Sequence, residues 1–152
     1  MTKVFKFGGT SIRDAKSINN IAQILKKYSE ENLVIVFSAM GKVTNMLEEV
    51  VEEYMLRNKN AEQTLQRVKD FHLNILEKLF PKEHLIYNEV NNLFVEIEWI
   101  LEDEPKPDYS FNYDQIVSIG ELLSTKIMSA YLQEHGFANK WLDARDIIRT
   151  DN

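Results

Sequence analysis

Leu33-Val34-Ile35-Val36-Phe37-Ser38-Ala39-Met40-Gly41 opens as an unbroken apolar run with a β-branched centre and closes on a turn of small residues. A short continuous apolar run bounded by turn residues is the pattern of a strand buried on both faces between helices, as in a parallel sheet. Upstream, Thr2 to Phe7 alternates and is rich in Val and Phe until Gly8 and Gly9 stop it, which predicts a first strand. Between the two, from Asp14 to Tyr28, the apolar residues Ala15, Ile18, Ile21, Ala22, Ile24 and Leu25 recur at three- and four-residue spacing, giving an amphipathic helix with lysines in its last turn. A second helix is expected from about Asn45 to Arg57. Strand, helix, strand, helix is the signature of a right-handed crossover, so the fold class is α/β, with a largely parallel central sheet and flanking helices.

Residues 60 to 103 are helical in pattern, and Pro81 divides them into two long helices. Glu104-Pro105-Lys106-Pro107-Asp108 reads as a proline-broken loop. A further helix is predicted from Tyr113 to Glu134, stopping at Gly136, and Phe137 to Leu142 is expected to form a third strand. The ending at Thr150-Asp151-Asn152, directly after a strand and its turn, reads as a cut through a longer domain.

At 152 residues the chain has the size of one domain, enough to bury roughly two thirds of its unfolded surface. Hydrophobic content of 44% and charged content of 28% are globular values, which argues against disorder or a fibrous repeat. A chain without cysteine has no disulfides, thiolate metal sites or cysteine nucleophiles, and fits a reducing compartment, with the cytoplasm as the expectation. Charges interleave the first residues, so a signal-peptide core is not expected, and no segment has the apolar length of a membrane span. The net charge of −6 argues against a nucleic-acid partner.

Lys6-Phe7-Gly8-Gly9-Thr10-Ser11 carries the first chemical signal. A strand that breaks into glycines leaves backbone amides bare, which suits phosphate, and the lysine adds a compact charge able to follow a transferring phosphoryl group. Neither a G-K-[ST] ending nor a G-x-G-x-x-G spacing is present, so this is neither a Walker loop nor a dinucleotide fingerprint. The second glycine turn, Ser38 to Asn45, also follows a strand and opens a helix, and in open α/β sheets ligands sit at the carboxyl ends of the strands. Ser38 and Thr44 offer hydroxyls to a shared ligand, or else Ser38 bonds backbone and Thr44 caps the helix.

Gly120 is costly inside a helix, so Ser118-Ile119-Gly120-Glu121-Leu122-Leu123-Ser124 implies a close backbone approach or a helix that begins there. Glu121 beside that gap suits a cationic group such as an α-amine, against the alternative of an exposed helix glutamate. Asp143 and Arg145 pair with each other as a clamp, or Arg145 orders the substrate pocket. His72, His84 and His135 lack partners at ligand spacing, so no metal site is expected from them.

Lys6 to Ser11, Ser38 to Asn45, Ser118 to Ser124 and Leu142 to Thr150, in that order, resemble the amino-terminal part of an aspartate kinase of the amino-acid kinase fold. The resemblance covers essentially the whole chain and implies that residues 1–152 are the amino-terminal part of a kinase domain, whose nucleotide-binding half and regulatory ACT domains are not in this chain. It implies transfer of the ATP γ-phosphoryl group to the β-carboxylate of L-aspartate with magnesium, giving 4-phospho-L-aspartate, the opening step toward lysine, threonine and methionine. By position, Lys6 would stabilise the transferring phosphoryl group, Gly8 and Gly9 would offer amides to the nucleotide phosphates, and Ser38, Thr44 and Glu121 would hold aspartate. A carboxylate is already a nucleophile, so no general base is required. The part alone is expected to be inactive, and a homo-oligomer is compatible with its apolar helical surface. Two other readings stay open: another amino-acid kinase acting on glutamate, acetylglutamate, carbamate or a nucleoside monophosphate, and a non-catalytic α/β binding or assembly module.

Overall fold

The computed structural model describes residues 1–148. The end of the Leu142–Thr150 match and the Thr150–Asn152 ending lie outside the described residues. Strand β1 (Thr2–Phe7) and strand β2 (Asn32–Phe37) pair in parallel, with Thr2 opposite Asn32 and Phe7 opposite Phe37. Helix α1 (Ala15–Lys26) makes the crossover. Asp14 starts it as predicted: its carboxylate accepts the Ser17 amide at 2.7 Å, and that bond, more than the neighbouring Arg13, holds its pKa below the usual carboxylate value.

One face of this sheet carries Phe5, Phe7, Leu33 and Ile35 against the core, with Phe7 stacked on Phe37 at 5.4 Å. The opposite face does not match the expectation of burial on both sides. Val4, Val34 and Val36 are 69%, 49% and 45% exposed there, because the helices of the described residues lie on the other side. Lys6 shares that open face, directly opposite Val36.

Helix α2 (Val43–Met55) starts at the second glycine turn and buries Val43, Leu47, Val50, Val51 and Tyr54. The predicted helical pair is α3 (Asn60–Leu79) and α4 (Ile86–Glu102), parted at Pro81. His72 is wholly buried between them, its ring edge-on to Phe71 and Phe94. The single helix expected from Tyr113 to Glu134 is instead two, α5 (Tyr109–Val117) and α6 (Ile119–Glu134), meeting at Ser118. Asp108 caps α5, and the buried Asn112 amide ties that helix to the Lys106 and Asp108 carbonyls at 2.7 Å each, fixing the proline loop.

The third strand expected over Phe137–Leu142 does not form. That segment runs along α6 without a ladder partner, and its polar groups are taken by helix side chains: Ser129 donates to Asn139 Oδ1 at 2.6 Å and Gln133 donates to the Asn139 carbonyl at 3.2 Å. Its residues alternate between half-buried and exposed because one side lies on a helix, not because it has a place in a sheet. The short helix α7 (Ala144–Ile147) follows, capped by Asp143. Among the described residues, no helix is long and apolar enough to cross a membrane.

Candidate active site

Both glycine turns lie at the carboxyl ends of the two strands and interlock. The Ser38 amide donates to the Phe7 carbonyl at 3.1 Å, and the Gly41 amide donates to the Gly9 carbonyl at 3.0 Å. A Cβ on Gly9 would sit 2.6 Å from the Ala39 carbonyl oxygen and 3.0 Å from that of Gly41, so only glycine lets the two turns come this close. Gly41 itself has φ +53°, the left-handed region, where it turns the chain out of β2 and into α2. Gly8 is different: it is extended, and a Cβ there would meet only Lys6 Nζ, at 3.8 Å. The Lys6 ammonium therefore lies over the first glycine.

Gly120 accounts for the close approach expected at residues 118–124. A Cβ there would lie 3.1 Å from Ala39 Cβ, 3.2 Å from Leu47 Cδ1 and 3.3 Å from Val43 Cγ1. The absence of a side chain lets α6 settle onto the Ala39 turn and the first turns of α2. Glu121 then reaches that turn, and its carboxylate accepts the Ala39 amide at 3.4 Å. Glu121 is half-buried, unlike the freely exposed helix glutamate of the alternative reading.

These contacts gather Lys6, Gly8, Gly9, Ser38 and Glu121 into one continuous patch. Thr44 stands in the first turn of α2 beside it. The cap position of that helix is Lys42, without a side-chain bond, so Thr44 is not the cap. One turn further along α2, Glu48 accepts a hydrogen bond from the Tyr113 hydroxyl at 3.0 Å. That bond, burial and the charges of Glu48 and Glu121 together raise the Tyr113 pKa, the hydrogen bond most. Ala39, Glu48 and Tyr113 escape sequence reasoning: a backbone amide carries no letter of its own, and the other two look like ordinary helix-surface residues.

Arg145 stands apart. Its guanidinium grips Asp143 through Nε and Nη2, with Nη2 to Oδ2 at 2.7 Å, as in the clamp reading. The pair's side-chain hydrogen bonds lower the Asp143 pKa and raise that of Arg145. Magnesium, which the resemblance implies, meets no group of three carboxylate or imidazole side chains among the described residues. These residues do not build a cage for it.

Known proteins similar to this chain match it over its whole length. Aspartokinase 1, chloroplastic, from Arabidopsis thaliana is 34% identical over 160 residues, which span 100% of this chain and 27% of that protein. Aspartokinase 2, chloroplastic, from the same plant is 32% identical over 157 residues, spanning 100% and 28%. Among solved structures, E. coli aspartokinase III in complex with aspartate and ADP matches with a TM-score of 0.86 at 29% identity, over 100% of this chain and 33% of that one. The chain thus spans a third or less of the length of these relatives. The profile of the amino acid kinase family matches residues 1–152 from end to end. With interlocked glycine turns at the strand ends and a match over its whole length, the chain belongs to the amino acid kinase family.

Proposed function

We propose that this chain supplies the acceptor pocket and the phosphate turn of an aspartate kinase, which transfers the ATP γ-phosphoryl group to the β-carboxylate of L-aspartate. The observation that carries the reading is the contact chain from Lys6 over Gly8, through Gly9 against Ala39, to Glu121 on the Ala39 amide. It draws a cation, bare amides and an anion into one patch, the set a phosphoryl transfer between ATP and an amino acid requires. The aspartokinase relatives, one of them solved with aspartate and ADP, support the choice of acceptor.

In this reading the Glu121 carboxylate takes the α-ammonium of aspartate, and Ser38 and Thr44 donate their hydroxyls to its carboxylates. The Gly8 and Gly9 amides meet the nucleotide phosphates. Lys6 neutralises charge on the phosphoryl group as the β-carboxylate oxygen forms its bond to phosphorus and the bond to the ADP oxygen breaks. Positioning and charge compensation do the chemistry, since the nucleophile arrives ionised. Magnesium, when bound with ATP, would offset negative charge on the phosphates. The adenine site and regulatory domains belong to the further length that the relatives have. The reading includes a cytoplasmic setting and a second copy of the chain as oligomeric partner.

Titration calorimetry of the chain with L-aspartate tests the pocket. Binding is expected in the parent and is expected to be lost in Glu121→Gln, which keeps an oxygen for the Ala39 amide but removes the charge. Silence from the folded parent refutes the aspartate pocket. A coupled assay of ADP release tests completeness, and turnover by this chain alone would overturn the expectation that it is inactive.

A further inference from the structure

Glu121 is held from two sides. In front, its carboxylate meets the Ala39 amide. Behind, its main-chain carbonyl accepts the Ser124 hydroxyl at 3.0 Å and the Thr125 hydroxyl at 2.8 Å. Thr125 in turn is fixed from outside the helix, because the Trp141 indole N–H donates to its Oγ1 at 3.0 Å. An indole N–H only donates, so the bonds run in one direction, from Trp141 to Thr125 and on to the Glu121 carbonyl, the nearer of two acceptors, with the Leu122 carbonyl at 3.1 Å. Such aligned bonds strengthen one another.

Trp141 is itself held. Lys126 Nζ lies 4.2 Å from its ring centroid while pairing with Glu89 at 2.9 Å, and two residues earlier Asn139 is tied to Ser129 and to the Phe137 carbonyl. The 137–143 segment therefore works as a strap along α6 with its anchor one turn from Glu121.

We propose that Trp141 and Thr125 are positioning residues for Glu121: the strap fixes the first turn of α6 and so aims the acceptor-binding carboxylate. The choice of ammonium as the ligand rests on the kinase reading, but the mechanical link does not. Binding at Glu121 and docking of the strap are then coupled, each favouring the other by the same factor.

The test uses the full chain in a Trp99→Phe background, which leaves Trp141 as the sole indole; Trp99 is 64% exposed and lies outside the strap. Thr125→Val and Trp141→Phe are each expected to shift the Ala39 amide resonance and speed its hydrogen exchange about tenfold, the worth of roughly one net hydrogen bond, while Thr125→Ser restores both. Two variants guard against one failing to fold. An unchanged Ala39 amide in a folded variant overturns the proposal, as does failure of Thr125→Ser to restore it. Titration of the parent with L-aspartate is expected to shift both Ala39 and the Trp141 emission. If the variants move Ala39 but aspartate moves neither signal, the strap stands and the aspartate reading falls.

Discussion

Gly9→Ala puts the interlock of the two glycine turns to its sharpest test. The added methyl would meet the Ala39 carbonyl oxygen at 2.6 Å, where an ordinary carbon–oxygen contact is about 3.3 Å, so the turns must part by about 0.7 Å. Both obstructing atoms are backbone oxygens, which cannot swing aside as a side-chain tip would. The same displacement takes the Gly41 amide to Gly9 carbonyl bond from 3.0 Å to about 3.7 Å, outside hydrogen-bond range. Overpacking of this kind costs about 1–3 kcal/mol, and the lost bond adds about 1 kcal/mol. Urea unfolding followed by circular dichroism is expected to show a midpoint lower by roughly 1–2 M. Gly8→Ala is the control. With φ −80° and only Lys6 Nζ at 3.8 Å, it is expected to stay within about 0.5 kcal/mol of the parent. Equal midpoints for Gly9→Ala and the parent, with the Ala39 amide unmoved, would show that the turns are not locked together and would refute the reasoning.

Three further outcomes are expected. Burial keeps His72 neutral and pushes its pKa down to about 4 against a bond to the Val68 carbonyl that favours the proton. Its folded pKa lies below the ordinary value of 6.5, so the unfolded chain protonates first. Stability is therefore lost as pH falls from 6.5 through about 4, by roughly 3 kcal/mol, and His72→Leu should flatten that part of the curve; equal pH slopes in urea would contradict this. Arg145→Ala is expected to cost under about 1 kcal/mol and to leave aspartate affinity within about twofold, because its partner is Asp143; a larger drop in calorimetric affinity would give Arg145 a pocket-ordering role. Asn112→Ala should cost about 1–2 kcal/mol in thermal or urea unfolding, since the buried Asn112 amide no longer ties the Lys106 and Asp108 carbonyls to α5, and a neutral result would mean that water replaces the amide without loss.

Much of this arrangement was legible in the letters. Apolar spacing marked β1, α1, β2 and α2, and Gly120 marked a close backbone approach or a helix start, both of which hold, since α6 begins at Ile119 and comes close to Ala39, Val43 and Leu47 at Gly120. What escaped was decided by contacts that spacing does not encode. The start of α5 at Tyr109 rather than Tyr113 is set by the Asp108 cap and the Asn112 ties, whereas the helix beginning after Ser118 was one of the two readings that Gly120 offered. Phe137 to Leu142 reads as a strand, yet Asn139 and Trp141 find their partners on α6. At the candidate site, the lysine, the glycines and Glu121 were visible by type, whereas the Ala39 main chain, whose carbonyl abuts Gly9 and whose amide donates to Glu121, was not.

The register of β1 on β2 sets Lys6 among valines, directly across from Val36 and on the face with Val4 and Val34. Any layer laid over those valines dries the lysine stem with them. In bulk water an ammonium at 4 Å from an anion is worth about 1 kcal/mol, and at the effective permittivity of a partly covered site about 4 kcal/mol. The same surface that shields the valines thus turns up the strength of the lysine's field, making hydration of one sheet face the throttle on the charge that lies over the first glycine turn.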